Sequence, residues 1–221
     1  MSPPVQQAPL AILGGTFDPV HIGHLRVALE AADRLGAELR LLPSRVPPHR
    51  EQPVATADQR VAILRAALSR QNRLQLDERE LSRQGPSYTI DTLIELRGEI
   101  GANRSLVLLL GRDAFLGLAN WYRWHELFDY AHIGVLSRPG HSPEWPDELT
   151  AAVASRFIPA SSLADHQPFG KVFEIAVSAL DISATAIRQL LNHGGDPRHL
   201  IPDAVIDDPT LLAPYSSHRL G

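Results

Sequence analysis

The run Ser105–Leu110 reads SLVLLL and carries no charge. A strand this apolar has no face to give to water, so it must lie inside a sheet that is covered on both sides. Such sheets are usually parallel. Parallel neighbours need crossover connections, usually helices. Ser105–Leu110 is therefore expected to be a central parallel strand, and the flanking sequence supplies the crossovers. Leu10–Leu13 is a short apolar run stopped by Gly14-Gly15, a buried strand and a tight turn. His21–Leu35 follows with Leu25, Ala28, Leu29, Ala32 and Leu35 near helical spacing. Glu38–Leu42 reads as a second strand. Thr56 or Asp58 can cap a helix running to about Ser69.

Further on, Leu74–Asp77, Ala131–Leu136, Phe157–Pro159 and Val172–Val177 are strand candidates. Thr89–Arg97 and Ala184–Asn192 read as helices, the latter ended by Gly194-Gly195. Arg138–Glu148 reads as a Pro-rich loop, and the tail after Asp208 as weakly structured. The alternation predicts an α/β chain with a doubly wound, mostly parallel sheet. No repeat or clean linker divides it, so residues 1–221 are expected to form one domain, with 1–8 and about 209–221 as tails. Ligands of such sheets sit at the carboxyl ends of the strands. The segments at Gly14, Gly111 and Asp181 all lie at such ends.

Composition narrows the chemistry. With 21 basic and 25 acidic residues the chain has no general attraction for nucleic acid or anionic lipid. It has no cysteine, which removes disulfides, thiolate metal sites and thiol nucleophiles. No apolar stretch has the length of a membrane span, and the N-terminus lacks the pattern of a signal peptide. A cytoplasmic protein is the expectation, and a homo-oligomer is compatible with it.

Two segments carry the chemical signal. In the first, Gly14-Gly15-Thr16-Phe17-Asp18-Pro19-Val20-His21-Ile22-Gly23-His24, the glycines allow a tight turn and close approach by a ligand. His21 and His24 stand three apart at a helix start, nearly on one face, and Gly23 leaves that face bare. A helix N-terminus attracts anions, and two imidazoles add donors there. A phosphate-binding pair is one reading; histidines that merely cap backbone groups are the other. Zinc fits less well, because three or four ligands are needed. His49, His125, His132 and His141 lie in separate segments. The second segment is Asp181-Ile182-Ser183-Ala184-Thr185-Ala186-Ile187-Arg188. Ser183 can cap the helix, and Arg188, one turn in, can lean back to the same end. This is a second anion site or an ordinary capped helix.

The first segment resembles the signature of the HxGH nucleotidyltransferase superfamily, and Ile182–Arg188 resembles its ISSTxIR motif, with Ala184 where Ser is common. Val46-Pro47-Pro48-His49-Arg50, Asp77-Glu78-Arg79-Glu80, Pro86-Ser87-Tyr88-Thr89, Gly111-Arg112-Asp113 and Trp121-Tyr122 fall in the order found in bacterial nicotinate-nucleotide adenylyltransferases. The resemblance covers roughly residues 10–205 and implies a Rossmann-like nucleotidyltransferase fold. It also implies transfer of the adenylyl group of ATP to nicotinate mononucleotide, giving deamido-NAD and pyrophosphate. Magnesium would ride on the phosphates, with no confident protein ligand.

By the same resemblance His21, His24, Thr16 and Arg188 are the catalytic residues. ATP would be bound by Gly14, Gly15, Thr16, Phe17, His21, Gly23, His24, Gly111, Asp113, Ile182, Ser183, Thr185 and Arg188. Thr16, Arg45, His49, Tyr88, Thr89, Trp121 and Tyr122 would bind the mononucleotide. Asp113 suits ribose hydroxyls or serves as a helix cap. Trp121 can stack on a pyridine ring, and the helix opening at Ser87–Thr89 favours a carboxylate over an amide. Asp18 orients the loop or a metal-bound water, or serves only the structure of the turn. The alternatives are transfer to nicotinamide mononucleotide or another acceptor of the superfamily, or a non-catalytic nucleotide-binding module.

Overall fold

The computed structural model describes residues 7–45, 52–83, 85–137, 145–165, 167–178 and 180–216. Six strands form one sheet: β1 (Leu10–Gly15), β2 (Glu38–Pro43), β3 (Leu74–Leu76), β4 (Leu106–Gly111), β5 (His132–Ser137) and β6 (Val172–Ala176). Their order is β3-β2-β1-β4-β5-β6. β1 pairs parallel with β4 (Leu10↔Leu106 to Leu13↔Leu109), β4 with β5, and β5 with β6. The all-parallel α/β fold is therefore the one expected from the alternation. β4 lies between β1 and β5, and Leu106–Leu110 are all buried, which is why that run has no polar face. The order reverses between β1 and β4, and both strands end in glycine. Open parallel sheets take ligands beyond the carboxyl ends of their strands at such reversals.

The helices follow their caps. α1 (Ile22–Leu35), α2 (Ala57–Leu68), α4 (Thr89–Ile100) and α7 (Ala184–Asn192) match the four expected helices within a few residues. Thr56 caps α2 by a capping box: its side chain accepts from Gln59 N while the Gln59 side chain accepts from Thr56 N. Ser183 Oγ accepts from Ala186 N at 3.1 Å and starts α7. Short α3 (Arg79–Ser82), α5 (Arg112–Leu116), α6 (Asp147–Val153) and α8 (Asp203–Ile206) were not expected, and α6 begins inside the proposed 138–148 loop. Residues 138–144 lie outside the described residues. Phe157 forms only an isolated bridge to Val172 rather than a strand.

The tail is corrected too. Pro209–Tyr215 is a 3-10 helix capped by Asp208, with Leu212 and Tyr215 buried. Its short apolar spacing gave no amphipathic period to read. Among the described residues no helix is long and apolar enough to cross a membrane.

The chain divides into two compact units. One comprises Met1–Leu13, Glu30–Arg40 and Tyr88–Val177; the other comprises Gly14–Leu29, Leu41–Ser87 and Ser178–Gly221. The division falls inside β1 and β2, so each of these strands contributes to both.

Candidate functional site

The second unit holds both motifs of the sequence. A Cβ at Gly15 would stand 2.9 Å from Phe17 Cζ, so any side chain there would have to displace the buried Phe17 ring. Phe17 itself is buried and adopts a left-handed φ of 50°, uncommon outside glycine. Its ring meets His24 edge-on at 5.1 Å. What Phe17 can offer a nucleotide is therefore its backbone. Gly14 faces open space, so nothing hinders a close approach there.

His21 and His24 stack with ring centroids 3.6 Å apart and planes at 24°. The amide of His21 donates to His24 Nδ1, and the amide of His24 donates to His21 Nδ1, both at 3.3 Å. An Nδ1 that accepts is unprotonated, so each neutral ring carries its proton on Nε2. The two readings of the pair are thus compatible: Nδ1 accepts from the helix-start amides while the ring proton sits on Nε2. The backbone amides are less available than expected. Those of His21 and His24 face the rings, and Ile22 N donates to Leu200 O at 2.9 Å. Gly23 is set by the same packing, since a Cβ there would lie 3.0 Å from His21 Nδ1.

Burial lowers the His21 pKa to about 4 from 6.5. Between those values the unfolded chain binds a proton that the folded chain refuses. Stability is then fullest above the unfolded value and falls as pH drops toward the folded one. The denaturation midpoint of the wild type is expected to fall more steeply than that of His21→Asn between about pH 7 and about pH 5. Parallel slopes would contradict the assignment.

Asp18, 170 residues before Arg188, brings the second motif to the first. Arg188 donates from one guanidinium nitrogen to the Asp18 carbonyl at 2.8 Å and from the other to Thr185 Oγ1 at 3.2 Å. Ile182 Cβ lies 3.7 Å from where a Gly23 Cβ would stand. Ser183 Oγ and Thr185 Oγ1 both accept from protein groups, which leaves their O–H bonds to donate. Two imidazoles, two hydroxyls and a guanidinium thus share one unit.

The Asp18 carboxylate serves the protein. Oδ2 accepts from Val54 N at 2.8 Å, and Oδ1 accepts from Ala55 N at 3.1 Å and Tyr215 O–H at 2.9 Å. These contacts tie the turn that carries Asp18 to the 54–55 segment and to Tyr215. Among the described residues no group of three or more His, Cys, Asp or Glu could hold a metal.

Arg60 and Tyr215 were missed in the sequence. Arg60 is 1% exposed, and its guanidinium donates to Thr16 O at 2.6 Å and to Arg45 O at 3.3 Å. It fastens the turn after β1 to the segment after β2. Burial lowers its pKa, and Asp18 opposes the shift. The signal was present: Arg60 is in phase with Ile63, Leu64 and Ala67 on the buried face of α2. Tyr215 gave none, lying in the segment read as a tail.

Arg45 is exposed; its amide donates to Ser87 Oγ at 3.1 Å and its side chain donates to the Arg83 carbonyl. His49 and the whole Val46–Arg50 segment lie outside the described residues.

In the other unit, Gly111 closes β4 and is the N-cap of α5, so Asp113 is not the cap but an exposed first-turn residue. Tyr88 caps α4 with no side-chain bond to its first amides. The Tyr88 and Tyr122 rings pack at 4.5 Å, and Tyr122 is half exposed. Thr89 and Trp121 are partly exposed.

The cytidylyltransferase-like family model matches residues 12–190. A Pseudomonas putida protein named "probable nicotinate-nucleotide adenylyltransferase" is 50% identical over 198 residues, 89% of this chain and 90% of its own length. An Aeromonas hydrophila protein of the same name is 46% identical over 198 residues, 89% of this chain and 92% of its own. This chain belongs to the nicotinate-nucleotide adenylyltransferases, within the cytidylyltransferase-like family. The fold agrees. The solved nicotinic acid mononucleotide adenylyltransferase of Plasmodium falciparum, complexed with NaAD, superposes with a TM-score of 0.69 at 17% identity, covering 95% of this adenylyltransferase and 96% of that chain.

Proposed function

We propose that the chain transfers the adenylyl group of ATP to nicotinate mononucleotide, releasing pyrophosphate and forming deamido-NAD for NAD biosynthesis. The observation that carries this reading is the meeting of His21 and His24 with Ser183, Thr185 and Arg188 in one unit. Family membership names the acceptor.

The chemistry follows from the donors. The mononucleotide phosphate attacks the α-phosphorus of ATP in line, and pyrophosphate leaves. No covalent intermediate is required, because positioning and charge stabilisation suffice. The Nε2–H groups of His21 and His24 stabilise charge growing on the α- and bridging oxygens. Thr16 holds a phosphate oxygen at the turn after β1. Ser183, Thr185 and Arg188 grip the departing β- and γ-phosphates. Magnesium enters as part of the ATP substrate, since the Asp18 carboxylate is already held by protein donors.

Asp113 takes ribose hydroxyls. Trp121, with Tyr122 and Tyr88, takes the pyridine ring, and the uncapped start of α4 at Thr89 favours its carboxylate. Arg45 joins this set as a residue that binds the mononucleotide. Trp121→Ala is expected to raise the KM for the mononucleotide about tenfold or more with little change for ATP, since lost stacking costs about 1–3 kcal/mol. Equal effects on both substrates would argue against stacking. Side-by-side kcat/KM values for nicotinate and nicotinamide mononucleotide test the acceptor. The acid is expected to be preferred, and preference for the amide would favour the other acceptor.

A further inference from the structure

Tyr215 is 4% exposed, and its hydroxyl reaches an aspartate 197 residues away. The bond has a consequence for Arg188. Oδ2 of the Asp18 carboxylate forms an ion pair with the Arg188 guanidinium at 3.8 Å, too long for a hydrogen bond. Three donors hold the carboxylate there: Val54 N on Oδ2, and Ala55 N and Tyr215 O–H on Oδ1. Arg188 instead bonds the Asp18 carbonyl and Thr185 Oγ1 and keeps the rest of its donors. The last torsion of an aspartate is soft, so a carboxylate left with the two amides alone can tilt.

We infer that Tyr215 is a positioning residue: its hydroxyl helps keep the Asp18–Arg188 ion pair at 3.8 Å, short of a hydrogen bond, so that the remaining guanidinium donors stay aimed at departing phosphate. Burial raises the Tyr215 pKa, and Asp18 raises it further, so the hydroxyl remains a donor throughout the working pH range. Phenylalanine at this position would keep the buried ring and remove only the restraint. Asp18 would then tighten the existing 3.8 Å ion pair into a hydrogen-bonded one, drawing the guanidinium off Thr185. The inference rests on the reading of Arg188 as a phosphate-gripping residue.

The test compares wild type, Tyr215→Phe, Arg188→Lys, the double variant and Leu212→Ala, with ATP and nicotinate mononucleotide as substrates and pyrophosphate as product inhibitor. Tyr215→Phe is expected to lower kcat/KM for ATP about tenfold and to weaken pyrophosphate inhibition similarly, the scale of one charge-linked hydrogen bond. The KM for the mononucleotide should hold. Arg188→Lys should cost more, and the double variant should be no worse than Arg188→Lys alone, because Tyr215 acts through Arg188. Leu212 is buried in the same 3-10 helix. Leu212→Ala loosens that helix without touching Asp18, so it should lower Tm and leave kcat/KM per folded molecule unchanged.

Wild-type kinetics in Tyr215→Phe beside a crippled Arg188→Lys would overturn the inference and leave the phosphate reading standing. Effects that multiply in the double variant, or a Leu212→Ala defect equal to that of Tyr215→Phe, would also overturn it. An Arg188→Lys enzyme with normal kcat/KM would remove the reading on which it rests.

Discussion

Replacing either histidine of the stacked pair by alanine is expected to lower kcat by about 10²–10³, the usual cost of one donor aimed at developing charge. The loss should fall on kcat more than on KM, because the charge appears only as the bond to phosphorus forms. Alanine also removes an Nδ1 that accepts the partner's backbone amide, so part of its effect is structural. Asparagine and glutamine separate the two nitrogens. An Asn carbonyl lies near the Nδ1 position and can keep the cap while losing the outer donor. A Gln amide lies near Nε2 and can keep the donor. His21→Asn should therefore fold nearly as well as wild type and still lose kcat, whereas His21→Gln should retain part of it. Because His21 is neutral above about pH 4, its donor is present throughout neutral pH and the rate should not fall as pH rises through 6.5. A folded His21→Asn enzyme with near-normal kcat would remove the catalytic role.

Asp18→Ala is expected to cost about 3–5 kcal/mol of stability, the range found when one partner of a buried charge set is deleted. The substitution strands two loop amides and the Tyr215 hydroxyl, and it removes the anion that offsets the cost of burying the Arg60 charge. Denaturant midpoints measure the effect. Asn keeps an acceptor for some of these donors but presents an NH2 to the others, so Asp18→Asn should fall between. A change below about 1 kcal/mol, the size of an exposed ion pair, would mean that Asp18 is not the hub of this loop.

Much of this was legible in the residues, for definite reasons. The apolar run of β4 and the Thr56 and Ser183 caps act locally, so their consequences are written beside them in the chain. The site was legible as two motifs because each is short and each opens a helix. What joins them was not. Asp18 and Arg188 meet across 170 residues, and no spacing rule encodes a contact of that kind. The helix-start amides were expected to bind the anion, yet the imidazole Nδ1 atoms and Leu200 O face several of them. Arg60 sits in phase with an apolar stripe, where a charge signals a buried partner. Tyr215 fell in a segment too short for periodicity, and its burial comes from tertiary packing alone.

The most direct test of the central claim incubates the purified chain with magnesium, ATP and nicotinate mononucleotide and follows pyrophosphate and dinucleotide together. Equimolar pyrophosphate and deamido-NAD are expected, with neither formed when either substrate is withheld. ATP binding without pyrophosphate release, or release that ignores the mononucleotide, would contradict adenylyl transfer to this acceptor.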